Sequence, residues 1–213
     1  MASVVFGNYP VTVADKEPFL LNLTSDYLLK DILRLGLIKE PDIIKRLLLN
    51  LAYQIGSEVS VNELSRSMGI SRITIEKYLN LLTETYVIFS LPAWSTNKRK
   101  EISKSRKIFF WDTGIRNALI KEFSLNPERA DIGLLWENWV VAEFAKKNLL
   151  EGQRQNLYFW RGRSGGEVDL VITKGSAMGA FEIKWKSQKR NFSAFENQYG
   201  VKVKIITNAA PLV

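Results

Sequence analysis

Three residues in the last quarter of the chain carry the chemistry it is best equipped to do. Asp169 lies between valine and leucine in EVDLVIT, and Glu182 and Lys184 flank an isoleucine in FEIKWK. Side chains of a strand alternate in direction, so Glu182 and Lys184 leave one face while Ile183 and Trp185 leave the other. Glu167 and Asp169 share a face of the preceding strand by the same rule. An antiparallel hairpin through TKGSAMG sets Asp169 beside Glu182. Two carboxylates held close together among apolar neighbours ionise at a cost. A divalent cation, Mg²⁺ or Mn²⁺, offsets that cost, because it prefers oxygen ligands, keeps several waters and can activate one against a phosphodiester. Lys184 is then placed to orient that water or to neutralise charge developing on phosphate. Glu137, in the apolar N-terminal half of the helix LLWENWVVAEFAKKNLL, is a candidate further metal ligand. The competing reading makes Glu182 and Lys184 an exposed salt-bridge face, worth under about 1 kcal/mol.

Composition narrows the alternatives. The 213 residues contain no cysteine and no histidine. Disulfides, thiolate or imidazole metal sites, Ser-His-Asp triads and Cys-His dyads are therefore excluded, leaving carboxylates, lysine, hydroxyls or an oxygen-bound metal ion. Hydrophobic residues make up 46% and charged residues 24%, an ordinary globular composition with enough apolar mass for real cores. No run spans a bilayer and no signal-peptide pattern opens the chain, so the expectation is a cytoplasmic protein with no membrane partner. The net charge of +8 and pI near 9.6 suit a polyanionic partner without requiring one.

The elements that position these residues read in two groups. Residues 1–19 show no helical period and read as a lead-in. Leu20 to Leu35 reads as a helix with Gly36 as C-cap. A second helix begins at EPDIIKRLLLNLAYQIG, with Pro41 in its first turn and Gly56 at its end. Ile43, Ile44, Leu47, Leu48, Leu51 and Ile55 recur at helical spacing and should face a core. Val61 to Met68 makes a short helix, Gly69 a turn, and Ser71 caps a longer helix through Leu82, a helix-turn-helix pattern. Strands YVIFSL and KIFFW follow, joined by PAWSTNKRKEISKSR, so the group reads as a winged helix. A short helix, IRNALIKEF, leads to a domain boundary near Phe123 to Asn126. Beyond it come the helix bearing Glu137, the strands NLYFWR, GGEVDLVIT and AMGAFEIKWK, the helix NFSAFENQYG and the strand VKVKIIT.

Charge is concentrated on the wing. Residues 96–107, TNKRKEISKSRK, hold six basic residues and one acid, a local charge of +5. Lys98, Arg99, Lys100 and Lys104 are candidate phosphate contacts there, with Arg72 and Lys77 on the recognition helix beside them. A solvated hairpin tip, whose lysines block edge pairing, explains the same run. Arg161 and Arg163 in FWRGRSGGE are candidates to hold a phosphate near the acidic residues, or else belong to an ordinary turn. Trp94, Trp136, Trp139, Trp160 and Trp185 suit core or interface positions better than base stacking.

The order Glu137, Asp169, then Glu182-Ile183-Lys184 resembles the PD-(D/E)XK, or restriction-endonuclease-like, superfamily. In that superfamily a helix with Glu precedes a strand, a strand with Asp, a strand with (D/E)-x-K, a helix and a strand. The leading Pro-Asp is absent, because Val168 precedes Asp169. A closer resemblance covers nearly the whole chain. YLLKDIL, VSVNELSRSMGISRITIEKYLNLL, KIFFWDTG, LLWENWVVAEF, FWRGRSGGEVDLVI and FEIKWK occur in that order. They look like the C-terminal half of a family of prokaryotic AAA+-type ATPases of uncertain function. No G-x-x-x-x-G-K-[ST] occurs, so an ATP site is not carried over. The opening FGNYPVTVADKEPFLLNL resembles the tail of the ATPase portion, which implies a fragment or a member without its motor.

The resemblance implies an α+β chain. Residues 20–123 form a helical winged-helix domain, and residues 124–213 an α/β restriction-endonuclease-like domain. Its implied metal ligands are Asp169, Glu182 and Glu137, with Lys184 as catalytic partner. Three functions are expected: a metal-dependent DNA nuclease, a DNA-binding module with a relic nuclease fold, or a protein-interaction module coupled to an ATPase.

Overall fold

The computed structural model describes residues 1–8, 15–28, 41–95, 106–162, 165–188 and 190–209. The described residues form a mixed α+β architecture of eight α-helices and two sheets. Lys98, Arg99, Lys100, Lys104 and Arg163 lie outside them, as do most of the expected wing tip and the end of the helix expected at 20–35.

Ala2–Phe6 forms helix α1, within the stretch where the sequence shows no helical period. Val4, Val5 and Phe6 are consecutive and all buried, so a helix this short, with three buried residues in a row, shows no amphipathic period to read. Lys16–Asn22 is α2, with Pro18 in its first turn, followed by a π-type turn at Leu23–Leu28. Helix α3, Pro41–Tyr53, buries Ile44, Leu47, Leu48 and Leu51 as its spacing requires. Strand β1, Glu58–Val59, leads into α4, Val61–Met68. Ser60 caps α4 by accepting from the Glu63 N–H, and Gly69 ends it at φ 71°, a left-handed conformation that glycine adopts without a Cβ penalty. The Ser65 hydroxyl donates to the Ile70 carbonyl across the turn at 2.6 Å. Ser71 then caps α5, Arg72–Glu84, by accepting from the Thr74 N–H.

Strands β2, Ile88–Pro92, and β3, Arg106–Phe110, pair antiparallel, and β1 adds to the other edge of β3. The resulting sheet has the order β1-β3-β2. Helix α6, Thr113–Ile120, is capped by Asp112, which accepts from the Gly114 and Ile115 N–H groups. Helix α7, Ile132–Leu150, follows.

The second sheet has the order β4-β5-β6-β7. Strands β4 (Asn156–Arg161), β5 (Glu167–Lys174) and β6 (Ala177–Ile183) form an antiparallel meander. Helix α8, Ser193–Tyr199, crosses over to β7, Val203–Ile206, which lies parallel to β6. The β5–β6 loop is the two residues Gly175 and Ser176, with Gly175 at φ 60°, the favoured first position of a tight hairpin turn.

One face of this sheet packs on Trp160, Val168, Val171, Ala180 and Phe195 under α8. Residues of the other face, among them Phe159, Leu170 and Ile183, join a core that runs continuously through α7 and the first sheet to α1. The two sheets are also stitched through their backbones: Ala93 bridges Phe159, and the Trp94 N–H donates to the Phe159 carbonyl. Trp136 and Trp160 are buried, and Trp94, Trp139 and Trp185 pack partly buried against the two cores.

Candidate functional site

Asp169 owes its position to an irregularity in β5. Tyr158 pairs with Val171 but Trp160 pairs with Val168, so Asp169 and Leu170 together oppose the single residue Phe159. Such a bulge bends a strand and re-aims a side chain. On the other side, the β5–β6 ladder runs as far as Leu170 opposite Phe181. Asp169 interrupts it there, since its Oδ2 accepts the Ile183 N–H at 2.8 Å. Asp169 therefore replaces one rung of the sheet with a carboxylate.

Lys184 follows the end of β6. Its Nζ stands 3.0 Å from Asp169 Oδ2 and 2.9 Å from Glu182 Oε1, so both carboxylates meet one ammonium, as the two-residue alternation predicts. Glu182 is 1% exposed, and Arg190 Nη1 also lies 2.9 Å from its Oε1. Lys184 donates a hydrogen bond to Asp169 Oδ2, whereas the contacts to Glu182 are ion pairs only, and neither carboxylate oxygen of Glu182 has a hydrogen-bond partner among the described residues. Burial, then the charge of Asp169, pushes the Glu182 carboxyl above its usual range against the pull of Lys184 and Arg190. Burial alone lowers the pKa of Lys184, but Asp169 and Glu182 outweigh it and hold the ammonium above its ordinary value.

Glu137 approaches from α7 and is buried. It does not touch Lys184. It accepts instead from Lys107 Nζ at 2.9 Å. Lys107 comes from β3, in the first half of the chain, and is 4% exposed. The same ammonium lies 2.7 Å from Glu167 Oε1 and 3.9 Å from Asp169 Oδ1, and 5.5 Å from the centroid of the Phe159 ring. Burial lowers the pKa of Lys107, yet Glu137, Asp169 and Glu167 together raise it well above the ordinary value. Burial and then the Asp169 charge push Glu137 up to about 7, against the stabilising pull of Lys107. Glu167 is pushed up by burial and pulled down further by Lys107 and Arg161, so it stays below its usual range.

Sequence reasoning missed two members of this cluster. Glu167 was recognised only as sharing a face with Asp169, and Lys107 was counted with the basic wing. Lys107 is instead directed inward, which takes one charge away from that patch. The available signal was Glu137 itself: an acid amid an apolar helix needs a cation brought to it. The next residue, Asn138, was missed as well. Its amide donates to the Phe110 carbonyl at 2.8 Å and accepts from the Phe110 N–H at 2.7 Å, so two consecutive α7 residues grip β3. Arg161 pairs with Glu58 and, at 3.1 Å, with Glu167. Arg72 and Lys77 are exposed on α5, well separated in sequence and element from the carboxylates.

A family described as a domain of unknown function, DUF8612, matches residues 3–126, more than half of the chain. The chain belongs to the DUF8612 family. A second domain of unknown function, DUF4143, matches residues 132–210. The cluster straddles the two, with Lys107 in the DUF8612 region and Glu137, Glu167, Asp169, Glu182 and Lys184 in the DUF4143 region. Uncharacterized proteins of Mycobacterium tuberculosis and Mycobacterium bovis are each 31% identical to the DUF8612 member described here over 163 residues, which is 74% of this chain and 35% of theirs. An uncharacterized protein of Haemophilus influenzae is 27% identical over 130 residues, 57% of this chain and 32% of its own length. The chain thus spans about a third of the length of these curated relatives. No solved structure matches it.

The donor set can be tested against a divalent ion. Oxygen ligands of the right type are present, and the oxygens of Glu182 are buried without hydrogen bonds. Yet four carboxylates, Glu137, Glu167, Asp169 and Glu182, face four cationic groups, Lys107, Lys184, Arg161 and Arg190. Arg161 is shared with Glu58, yet each of these four carboxylates already has a cationic partner that a doubly charged ion would have to displace. Among the described residues no group of three or more acidic side chains is placed to coordinate one. As arranged, the residues do not fit a bound Mg²⁺ or Mn²⁺.

Proposed function

We propose that the chain is a DNA-binding protein, a winged helix joined to a restriction-endonuclease-like domain, and that it acts on DNA by binding rather than by cutting. The carrying observation is the arrangement of α4, the Gly69 turn and α5, with Arg72 and Lys77 exposed on α5. The antiparallel pair β2 and β3 follows and leads to the basic run at residues 98–104. A helix-turn-helix followed by a basic run between two paired strands suits the phosphates of a duplex. The order α7-β4-β5-β6-α8-β7, with a parallel last strand, supports the endonuclease-like reading of the second half. The cationic partner that each of its clustered carboxylates already holds supports binding without turnover. Coupling to an ATPase domain or protein partner is part of the same proposal, supported by the resemblance of the ordered motifs and the greater length of the relatives. None of the described helices is long and apolar enough to cross a membrane.

The test is a fluorescence-anisotropy titration of labelled duplexes over a range of salt. Reversing the charges of Lys98, Arg99 and Lys100, or of Arg72 and Lys77, is expected to weaken binding on every sequence and to flatten the salt dependence. Unchanged affinity in both variants removes the winged helix as a DNA contact.

A second reading, phosphodiester hydrolysis, has one specific observation behind it: Asp169, the hydrogen-bond-free carboxylate of Glu182 and Lys184 converge at one point. Cleavage of single- or double-stranded DNA by the purified protein with Mn²⁺, lost in Lys184→Ala, would replace the binding-only reading.

A further inference from the structure

We propose that Lys107 is the resident cation of the carboxylate cluster, and that a divalent ion gains access to these carboxylates only in competition with it. The inference rests on the geometry of the cluster and not on DNA binding.

The Lys107 ammonium stands where side chains from two elements of the second half converge. Glu137 comes from α7, and Glu167 and Asp169 come from β5 at its bulge. Their oxygens lie 2.9, 2.7 and 3.9 Å from one nitrogen. A divalent ion bridging Asp169 and Glu137 would need oxygen ligands at about 2.0–2.2 Å in much of the same space. It would also meet an ammonium that has little room to withdraw. Lys107 is buried and pairs along β3 with Glu58 on one side and Leu91 on the other. Asn138 fixes β3 at Phe110, and the aromatic face of Phe159 lies under the ammonium. Moving the charge out therefore means lifting the strand.

The remaining carboxylate shows what the lysine withholds. Glu182 faces Lys184 and Arg190, yet both its oxygens are buried with no aligned donor. Removing the Lys107 charge leaves Glu137 and Glu167 without their shared partner and Asp169 with one neighbour fewer. The cluster then carries an excess of negative charge that a hard dication can balance. A strand of the DUF8612 region would in this way set which cation the DUF4143 region holds.

The experiment is Mn²⁺ binding, followed by isothermal titration calorimetry and by the electron paramagnetic resonance signal of free Mn²⁺. It compares the full chain with its Lys107→Met and Lys107→Arg variants. Lys107→Met is expected to bind Mn²⁺ at least about tenfold more tightly than the parent, the scale on which a neighbouring group changes metal affinity. Adding Glu182→Gln should remove that gain, and Lys107→Arg, which keeps the charge, should match the parent. If Lys107→Met does not fold, Lys107→Gln removes the charge while keeping a hydrogen-bond donor toward Glu137 and Glu167. It leaves all four carboxylates, and is expected to exceed the parent in Mn²⁺ affinity. Equal Mn²⁺ affinity in the parent and the folded charge-removal variant overturns the proposal, as does tighter binding by the parent. The DNA titration and this Mn²⁺ titration fail separately. Loss of the first removes the winged-helix reading, and a flat result in the second removes the role of Lys107.

Discussion

Asp169 has two sides, and they are built differently. Its Oδ2 side faces Lys184, which is half-buried, follows the end of β6 and belongs to the same sheet. Its Oδ1 side faces Lys107, which is buried, belongs to another sheet and answers to two further carboxylates. The charges are alike on both sides, but their settings are not. On the Lys184 side a lost partner can be replaced by water, by Arg190, or by a proton on Glu182. On the Lys107 side Arg161 reaches only Glu167 and a proton suits only Glu137, so no single substitute serves all three carboxylates, and the ion pairs help join the halves of the molecule. Proximity to an acid therefore says little about what a lysine contributes until its burial and its attachment are known.

This contrast can be broken at the Lys107 side first. Lys107→Met alone should cost about 3–5 kcal/mol, because it strands buried carboxylates. Lys107→Met/Glu137→Leu should recover much of that loss; urea unfolding of the two variants checks both statements. Next comes pH. Glu137 is raised to about 7 from the usual 4.5. A carboxyl with a raised folded pKa favours the folded state fully below its unfolded pKa, and that contribution is lost as pH rises through the folded value. The shift corresponds to about 3 kcal/mol lost between roughly pH 4.5 and 7. In chelator-treated buffer, Glu137→Gln should lack this decline, so the variant gains on the parent across that window. Asn138→Leu leaves the Phe110 N–H and carbonyl without partners and should cost about 2 kcal/mol or more. Lys184→Ala should cost only about 1 kcal/mol, measured in the same unfolding series. A loss as large as that of Lys107→Met would erase the distinction between the two sides.

Much of the second half was legible because strand alternation is strict. Glu182 and Lys184 had to share a face, and a two-residue loop carrying Gly175 fixed the register that puts Asp169 opposite. The strand limits of β4 coincide with NLYFWR, and α3 buried four of the residues its spacing named, Ile44, Leu47, Leu48 and Leu51. Lys107 was not legible for a physical reason. It lies in a local run of positive charge, and such a run normally marks solvent. Strand β3, however, is buried on both faces from Lys107 onward, so no polar alternation distinguishes a lysine aimed inward from one aimed out. The Asp169 bulge escaped notice similarly, since an extra residue in a strand leaves no compositional trace unless a glycine marks it. Helix α1 was missed because five residues, three of them consecutive and buried, are too few to carry a period.

The Lys107–Glu137 contact also bears on inheritance. It joins a residue of the DUF8612 region to one of the DUF4143 region, across the boundary between the two. A hybrid that couples residues 1–126 of this chain to a second region with no acid at the position of Glu137 would bury a lysine short of one partner. The reciprocal hybrid would bury the acid cluster with its central cation missing. The two regions are thus matched at this contact, and a change on one side leaves a buried charge on the other without its partner.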